Sequence, residues 1–234
     1  MLTDAVKDGC GQNTARPATW AQWRSGQRHG LNRAVAIYAD PVTQSLEVPA
    51  PAREILDRLQ QWSPVAPAQV RLAGEYKVFV GAMAAAALQR DGGLEHITGS
   101  CFVLTPDLRQ VLLCFHRKGQ FWVQLGGHVE LQDKSVAAAA YREAREESGI
   151  TDIRPLSTMP VDLHRHGLSS RFGMCRVHWD VGFVAFADVD AVPVVSPESE
   201  AVAWFGVDRL PAQVPEDFPL RLRTVLHELA CQQG

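Results

Sequence analysis

The chain of 234 residues is 46% hydrophobic, 21% charged and 8% aromatic, with a formal net charge of −3. This composition is too apolar and too weakly charged for a disordered protein, and the small acidic surplus argues against a dedicated nucleic-acid-binding surface. At roughly 100–200 residues per domain, the length accommodates one domain with a substantial additional segment.

The sequence contains no signal for a membrane or for secretion. No run of eighteen apolar residues occurs, so no transmembrane helix is expected, and the polar N-terminus lacks the apolar core of a signal peptide. The five cysteines are odd in number and form no CxxC pair, which is typical of a reducing compartment. We therefore predict a cytoplasmic location and no membrane partner.

Residues 1–50 carry the weakest pattern, because glycines and prolines interrupt them repeatedly. We expect a partly irregular arm without an evident helix-turn-helix or basic block, which makes nucleic acid an unexpected partner. The tryptophans of this arm, Trp20 and Trp23, could pack on a second subunit of a homodimer or cover the core of their own chain.

Two helices are predicted in residues 51–95, as an extension packed on the core. Ile55, Leu59 and Trp62 share one face of the first helix because they follow the i, i+4, i+7 spacing. The second helix is expected to reach about Arg90, where an Asp-Gly-Gly sequence ends it. Its apolar positions are Leu72, Tyr76, Phe79 and Met83.

Residues 96–234 predict a mixed β-sheet with helices packed against it, an α/β fold of the α+β kind. The extended runs begin with a hairpin and are Thr98–Leu104, Val111–Phe115, Phe121–Leu125, Val161–His164, Arg176–Phe186 and Val202–Phe205. A helix is predicted from Ser135 to Ser148, ended by Gly149, and another at the C-terminus with an apolar face of Leu222, Val225, Leu226 and Leu229.

Three glutamates of the Ser135–Ser148 helix form the most informative pattern. Glu143, Glu146 and Glu147 lie at i, i+3 and i+4 and therefore share one helix face. Grouped carboxylates repel one another unless a cation lies among them, and hard oxygen ligands suit Mg²⁺ or Mn²⁺. Arg142 could hold Glu146 in place. By themselves, however, glutamate-rich helix faces are usually solvated surface.

The residues before this helix add a second signal. Gly126 and Gly127 allow the backbone to approach a ligand closely, and a carbonyl there could be a further metal ligand. Together these residues resemble the signature of the Nudix hydrolase family. The segment Arg142-Glu143-x-x-Glu146-Glu147-x-Gly149-Ile150 matches it, with Ala144 in the aliphatic position.

Two departures from that signature lie in the loop before the helix. Asp133 stands where the family has glutamate, and eight residues rather than seven separate it from Arg142. The Gly-Gly-His-Val-Glu sequence beginning at Gly126 and the longer loop resemble a bacterial subgroup of the family. The resemblance covers about Ile97 to Pro211 and implies an α/β/α sandwich with a mixed sheet.

The resemblance also implies hydrolysis of a nucleoside diphosphate linked to another moiety, with a divalent metal that activates water. Carried over by position, the metal ligands are Glu143, Glu146 and Glu147, one of them a candidate base, with the Gly127 carbonyl as a further ligand. Glu198, six residues before Trp204, corresponds to another ligand or base, or is an ordinary loop acid. Glu130 and Arg142 are structural supports.

Two further patterns suggest substrate contacts. Arg117 and Lys118 offer cations for phosphate oxygens, or form a plain charged turn. Asp162 with His164, and His178 with Asp180, each lie two residues apart and so share one face of a strand. Opposed on paired strands they would form a polar cluster that binds substrate, supplies a base, holds a second metal, or is satisfied internally.

The substrate itself is left open between nucleoside triphosphates, sugar nucleotides, ADP-ribose, dinucleoside polyphosphates and coenzyme A derivatives. Selectivity is expected in loops outside the signature, including Arg165–Cys175. The main alternative is a ligand-sensing or regulatory module on the same fold. An isomerase of diphosphates is disfavoured, because the cysteine and acid arrangement that it needs cannot be located.

Overall fold

The structure is a computed structural model that describes residues 50–169, 174–195 and 199–232. The predicted N-terminal arm therefore lies outside the described residues except for Ala50, and so does Glu198. No helix in the described part of the chain is long and apolar enough to cross a membrane.

Two helices open the described chain, α1 (Ala50–Gln61) and α2 (Pro67–Met83). The predicted continuation of the second helix to about Arg90 is wrong. Ala84 has a φ of 47°, which lies outside the right-handed helical region, and a 3₁₀ helix (Ala84–Leu88) follows. The tighter turn buries two apolar side chains at its end, those of Ala87 and Leu88.

Eight strands form one sheet. They are β1 (Glu95–Leu104), β2 (Gln110–His116), β3 (Phe121–Val123), β4 (Leu125–His128), β5 (Arg154–Pro155), β6 (Asp162–Gly167), β7 (Val177–Phe186) and β8 (Ser199–Gly206). The extended runs predicted from the sequence are confirmed as strands. Strand β5 was not predicted, because so short a segment carries no periodicity. The run predicted as Phe121–Leu125 is divided between β3 and β4, and the extension of β4 through Gly126–His128 was not predicted.

Strand β1 is the centre of this mixed sheet. It runs parallel to β7 over ten residue pairs, from Glu95 beside Val177 to Leu104 beside Phe186, and antiparallel to β2 and β4. Strand β6 pairs with β7 and β8 pairs with β2, both antiparallel. The predicted hairpin between β1 and β2 is confirmed, and the parallel pairing provides the mixed character.

Two hydrophobic cores lie on opposite faces of the sheet, because alternate residues of β1 point to opposite sides. Cys101 and Val103 join the core that contains apolar residues of α1, α2 and α3 (Val136–Ser148). Phe102 and Leu104 join the core of α4 (Phe218–Gln232). This arrangement confirms the expected α/β/α sandwich.

Candidate active site

Local signals at both ends position helix α3. The Ser135 hydroxyl accepts a hydrogen bond from the Ala138 backbone N–H at 3.0 Å, and Gly149 ends the helix with a φ of 67°. The helix packs closely on β1, since a Cβ atom at Gly99 would lie 2.8 Å from the Val136 carbonyl oxygen. This close packing fixes the direction in which the glutamates project.

Glu147 is held between the helix and β4. Its side chain is buried, and the carboxylate accepts a hydrogen bond from the Gly126 N–H at 2.9 Å. Gly126 has a φ of 154°, and a Cβ atom there would lie 2.6 Å from the Gly99 carbonyl oxygen. Burial, with the nearby Glu147 charge, raises the pKa of the Cys114 thiol well above its ordinary value.

Glu143 lies directly against Gly127. Its side chain is 13% exposed, and a Cβ atom at Gly127 would lie 2.6 Å from the Glu143 carboxyl carbon. Only glycine therefore allows this carboxylate to lie so near the backbone of β4. The glycine pair thus brings two of the three glutamates to the same short strand.

Arg142 offsets part of the negative charge of the acidic face. It donates to Asp133 at 2.9 Å, to Glu143 at 3.0 Å and to Glu146 at 2.9 Å, and Glu130 lies 3.9 Å away. Hydrogen bonding to Asp133 is the main cause of the raised pKa of Arg142. Burial alone would raise the pKa of Asp133, but the bonds from Arg142 and the Glu130 N–H lower it below the ordinary value.

The third glutamate differs from the other two. The Glu146 side chain is 59% exposed and bonds to Arg142 at the outside of the helix. Glu143 and Glu147, in contrast, are largely buried against β4. The carboxylates of these two residues would offer hard oxygen donors to Mg²⁺ or Mn²⁺ beside the Gly127 carbonyl, and this donor chemistry fits such an ion.

A cleft of about 1250 Å³ opens beside Glu147 and the glycine pair. This volume is ample for a nucleotide-sized ligand. Its lining brings together residues from both candidate binding patterns, and the predicted site residues among them are Arg117, Lys118, Gly127, Glu147, His178 and Asp180.

The strand pattern of Asp162, His164, His178 and Asp180 divides between the cleft and the protein interior. Strands β6 and β7 place His164 opposite Asp180. His164 instead contacts Asp217, with its Nε2 at 2.5 Å from a carboxylate oxygen, and it does not line the cleft. Asp162 is fully buried and bonds to Arg221 at 2.6 Å, as an internally satisfied group does.

Asp180 is held by hydroxyl groups on the neighbouring strand. It accepts hydrogen bonds from Thr98 at 2.9 Å and from Ser100 at 2.7 Å, and Arg221 lies 3.5 Å away. Both hydroxyls project from β1, which runs beside β7. The carboxylate is therefore fixed in one orientation at the cleft wall.

Three histidines that were not predicted as site residues surround His178. The His178 ring lies 4.8 Å from that of His96, 5.6 Å from that of His128 and 5.4 Å from that of His166, between centroids. Burial, then repulsion from His166, His96 and His128, lowers the pKa of His178 to about 3. Burial and His96 likewise lower that of His128 to about 4, so both rings are neutral at pH 7.

The sequence contained a partial signal for this cluster. His166 continues the alternation of Asp162 and His164 along one strand, and could have been selected on that basis. His96 and His128 reach His178 through strand pairings that are distant in sequence. No local pattern predicts those contacts.

Comparisons with known proteins complete the description of the site. The family model described as NUDIX domain matches residues 95–229. A solved NUDIX-family hydrolase from Clostridium perfringens is 21% identical, with a TM-score of 0.47, and the match covers 57% of this chain and 97% of that one. A MutT NUDIX hydrolase from Burkholderia pseudomallei is 23% identical, with a TM-score of 0.42 and coverages of 56% and 98%.

An Ap4A hydrolase from C. elegans is 16% identical, with a TM-score of 0.48, and the match covers 58% of this chain and 98% of that one. No sequence among the curated proteins matches this chain.

Proposed function

Because this chain belongs to the NUDIX domain family through its match over residues 95–229, we propose that it hydrolyses a diphosphate linkage in a nucleotide-type substrate with a divalent metal ion. Membership places the chain among hydrolases of phosphorus-containing acid anhydrides. This proposal is supported by the placement of Glu143 and Glu147 against the glycine pair, since Glu147 and both glycines line a large cleft.

The residues proposed to hold the ion, Mg²⁺ or Mn²⁺, are Glu143, Glu146 and Glu147, with the carbonyl of Gly127. When bound, such an ion would supply electrostatic stabilisation of charge that develops on phosphate oxygens. The positions of Glu143 and Glu147 support this role, because both carboxylates already lie beside β4, next to the Gly126–Gly127 backbone. Glu146 would need to exchange its bond to Arg142 for the ion.

Arg142 and Glu130 are proposed to position this acidic face rather than to contact substrate. The guanidinium holds Glu143 and the loop residue Asp133 at once, so it limits repulsion among the carboxylates. Glu130 adds a more distant charge, 3.9 Å from Arg142. Glu198 lies outside the described residues, and its role as an additional ligand or base stays a prediction.

Cleft residues are proposed to bind the substrate. Arg117 and Lys118 would hold phosphate oxygens by charge, as their position in the cleft lining supports. His178 and Asp180 lie in the same lining and would contact the remainder of the substrate. His164 stays a prediction as a substrate contact, although it contacts Asp217 and is absent from the residues that line the cleft.

Other features of the sequence stay proposals as well. We retain an arm at residues 1–50, a helical extension at 51–95 and a Nudix hydrolase domain at 96–234. The shared core of α1, α2 and β1 supports close packing of the extension. The four cysteines of the described residues are unpaired, which supports a reducing, cytoplasmic environment. The bacterial subgroup, a homodimer and the choice of nucleotide are predictions without a structural test.

An activity screen with Mg²⁺ tests the function. Purified protein should release phosphate or pyrophosphate from at least one class among nucleoside triphosphates, sugar nucleotides, ADP-ribose, dinucleoside polyphosphates and coenzyme A derivatives. Glu147→Gln keeps the side-chain shape but removes the charge, and should lower kcat by about 100-fold or more. Glu75→Gln, on the exposed side of α2, is the matched control and should retain the parent rate.

Full activity of Glu147→Gln would contradict the proposed site. Tight binding of one nucleotide without turnover across the whole panel would instead favour the regulatory module. The retained acids Glu143, Glu146 and Glu147 favour the enzyme over that alternative.

A further inference from the structure

A group of nitrogen and sulfur donors lies at the cleft, apart from the α3 glutamates. His96, Cys175 and His178 each offer one ligand atom, and these atoms lie within 4.8 Å of one another. Cys175 Sγ is 3.4 Å from His96 Nδ1. The sulfur–nitrogen distance is close to that between two donors of one tetrahedral Zn²⁺ ion, whose bonds are about 2.3 Å to sulfur and about 2.0–2.1 Å to nitrogen.

The backbone fixes this group of donors. His96 on β1 pairs in parallel register with His178 on β7, so their side chains project from adjacent strands of the central sheet. Cys175 lies two residues before β7, and its neighbour Arg176 donates its N–H to the Leu94 carbonyl at 2.7 Å. The donors are therefore held by strand pairing rather than by a loop alone.

One buried nitrogen points to a missing partner. The His96 side chain is 1% exposed, and its Nε2 atom has no hydrogen-bond partner among the described residues. A buried polar atom left without a partner is unfavourable, because it has lost its hydrogen bonds to water. A metal ion bound at His96 Nε2 would give this nitrogen a partner.

We propose that His96, Cys175 and His178 form a binding site for a Zn²⁺-type transition-metal ion, separate from the carboxylates of α3, in which His178 would bind the ion in place of a direct contact with the substrate. Imidazole nitrogen and thiolate sulfur prefer such ions over Mg²⁺. Three protein ligands leave a fourth position of a tetrahedral site open. His128, whose ring centroid is 5.0 Å from that of His96, is the nearest further imidazole to occupy it.

Binding of a metal ion at this site would release one proton from Cys175. Cys175 presents a thiol to the carbonyl oxygens of Leu94 and Val177. On binding, the Sγ–H bond breaks, the sulfur–metal bond forms and the proton passes to solvent.

The site goes beyond the proposed hydrolysis and can be tested without substrate. Co²⁺ replaces Zn²⁺ in such sites and gives a thiolate-to-metal charge-transfer absorption. The full chain with Cys10→Ser and Cys231→Ser serves as the background, because it lacks two thiols outside the site. It should bind one equivalent of Co²⁺ with this absorption, and Zn²⁺, but not excess Mg²⁺, should abolish it.

Variants separate the site from its surroundings. Cys175→Ser should abolish the absorption, and His178→Gln, at a partly exposed position, should weaken Co²⁺ binding at least about tenfold. His227→Gln, on α4, is the matched histidine control and should bind as the background does. Circular dichroism checks the fold of every variant, and the histidine variant decides the question if the cysteine variant does not fold.

The outcomes also separate this site from the hydrolase site. Glu147→Gln should lose turnover but keep the thiolate absorption. Absence of that absorption from the background protein, or its survival in Cys175→Ser, would overturn the metal site while leaving the proposed hydrolysis intact. Loss of turnover in Glu147→Gln with unchanged Co²⁺ binding would show that the α3 carboxylates serve turnover and not the binding of Co²⁺.

Discussion

Single glycines decide how near the acidic side chains come to the backbone of the sheet. Gly127 leaves room for the Glu143 carboxylate, whose carbon would lie 2.6 Å from any added Cβ. The neighbouring Gly126 donates its N–H to Glu147. At the residue scale, the absence of a side chain is therefore what shapes the site.

Replacement of Gly127 by alanine tests this argument. The methyl group must displace Glu143, because the contact is shorter than real Cβ atoms show. A displacement of about 1 Å can lower catalysis by about 100-fold, so Gly127→Ala should lower kcat on that order while the protein stays folded. Steady-state kinetics and thermal unfolding measure the two effects.

Gly74→Ala is the matched control, since, apart from the adjoining backbone of α2 itself, no atom lies within 4 Å of an added Cβ at that position. It should keep the parent kcat and raise the free energy of unfolding by about 1 kcal/mol, because alanine favours helices more than glycine does. Equal kinetics of the two glycine variants would contradict the proposed close approach of Glu143.

At the scale of elements, the loop before α3 is joined to the helix by charge. Asp133 accepts from Arg142 at 2.9 Å and from the Glu130 N–H at 2.8 Å. The carboxylate therefore connects the loop backbone to the guanidinium that faces Glu143 and Glu146. Asp133, at the position where the Nudix signature has glutamate, makes this connection.

Acid should weaken this connection. The folded-state pKa of Asp133 lies below its ordinary value, so its stabilisation is complete above the unfolded pKa of about 3.9 and is lost as pH falls through the folded value. Asp133→Asn should lower the free energy of unfolding by about 1–3 kcal/mol at pH 7. Urea unfolding should show this difference shrinking as pH falls below about 4.

Asp57→Asn provides the comparison, because Asp57 is exposed on α1. The unfolding free energy of this variant should stay within about 0.5 kcal/mol of the parent value, both at pH 7 and below about pH 4. A difference between parent and Asp133→Asn that did not change with pH would contradict the linkage.

At the scale of the whole molecule, a buried polar network connects the outer helices to the sheet. Arg221 of α4 bonds to Asp162 of β6 at 2.6 Å and approaches Asp180 of β7. From α2, the Gln69 amide donates to Asp162 at 3.1 Å and accepts from the Leu163 N–H at 2.8 Å. Helices separated widely in sequence thus meet at one pair of strands.

Removal of the central cation tests the network. Arg221→Met keeps much of the side-chain length but leaves Asp162, which is 0% exposed, without its ion pair. Breaking such a buried pair lowers stability by about 3–5 kcal/mol, to be measured by urea unfolding. Arg223→Met, at an exposed position on the same helix, should change stability by less than about 0.5 kcal/mol. Similar values for both variants would refute the structural role.

Local signals in the sequence were sufficient for much of the fold. Helix α3 was predicted to within one residue, since the serine cap and the terminal glycine each act on the residues next to them at their own end of the helix. The end of α2 was predicted wrongly, because the run of alanines after Met83 supports an α-helix and only packing selects the 3₁₀ turn. The common face of Glu143, Glu146 and Glu147 likewise follows from their i, i+3, i+4 spacing along the helix.

The sequence by itself therefore determined the family, the mixed sheet with its helices and the acidic face of α3, because these depend on spacing within short segments. Only the tertiary structure decided which polar residues share a site. The parallel pairing of β1 with β7 joins His96 to His178, and the packing of α4 assigns Asp162 to the interior. Such contacts depend on chain segments tens of residues apart, for which no local spacing exists.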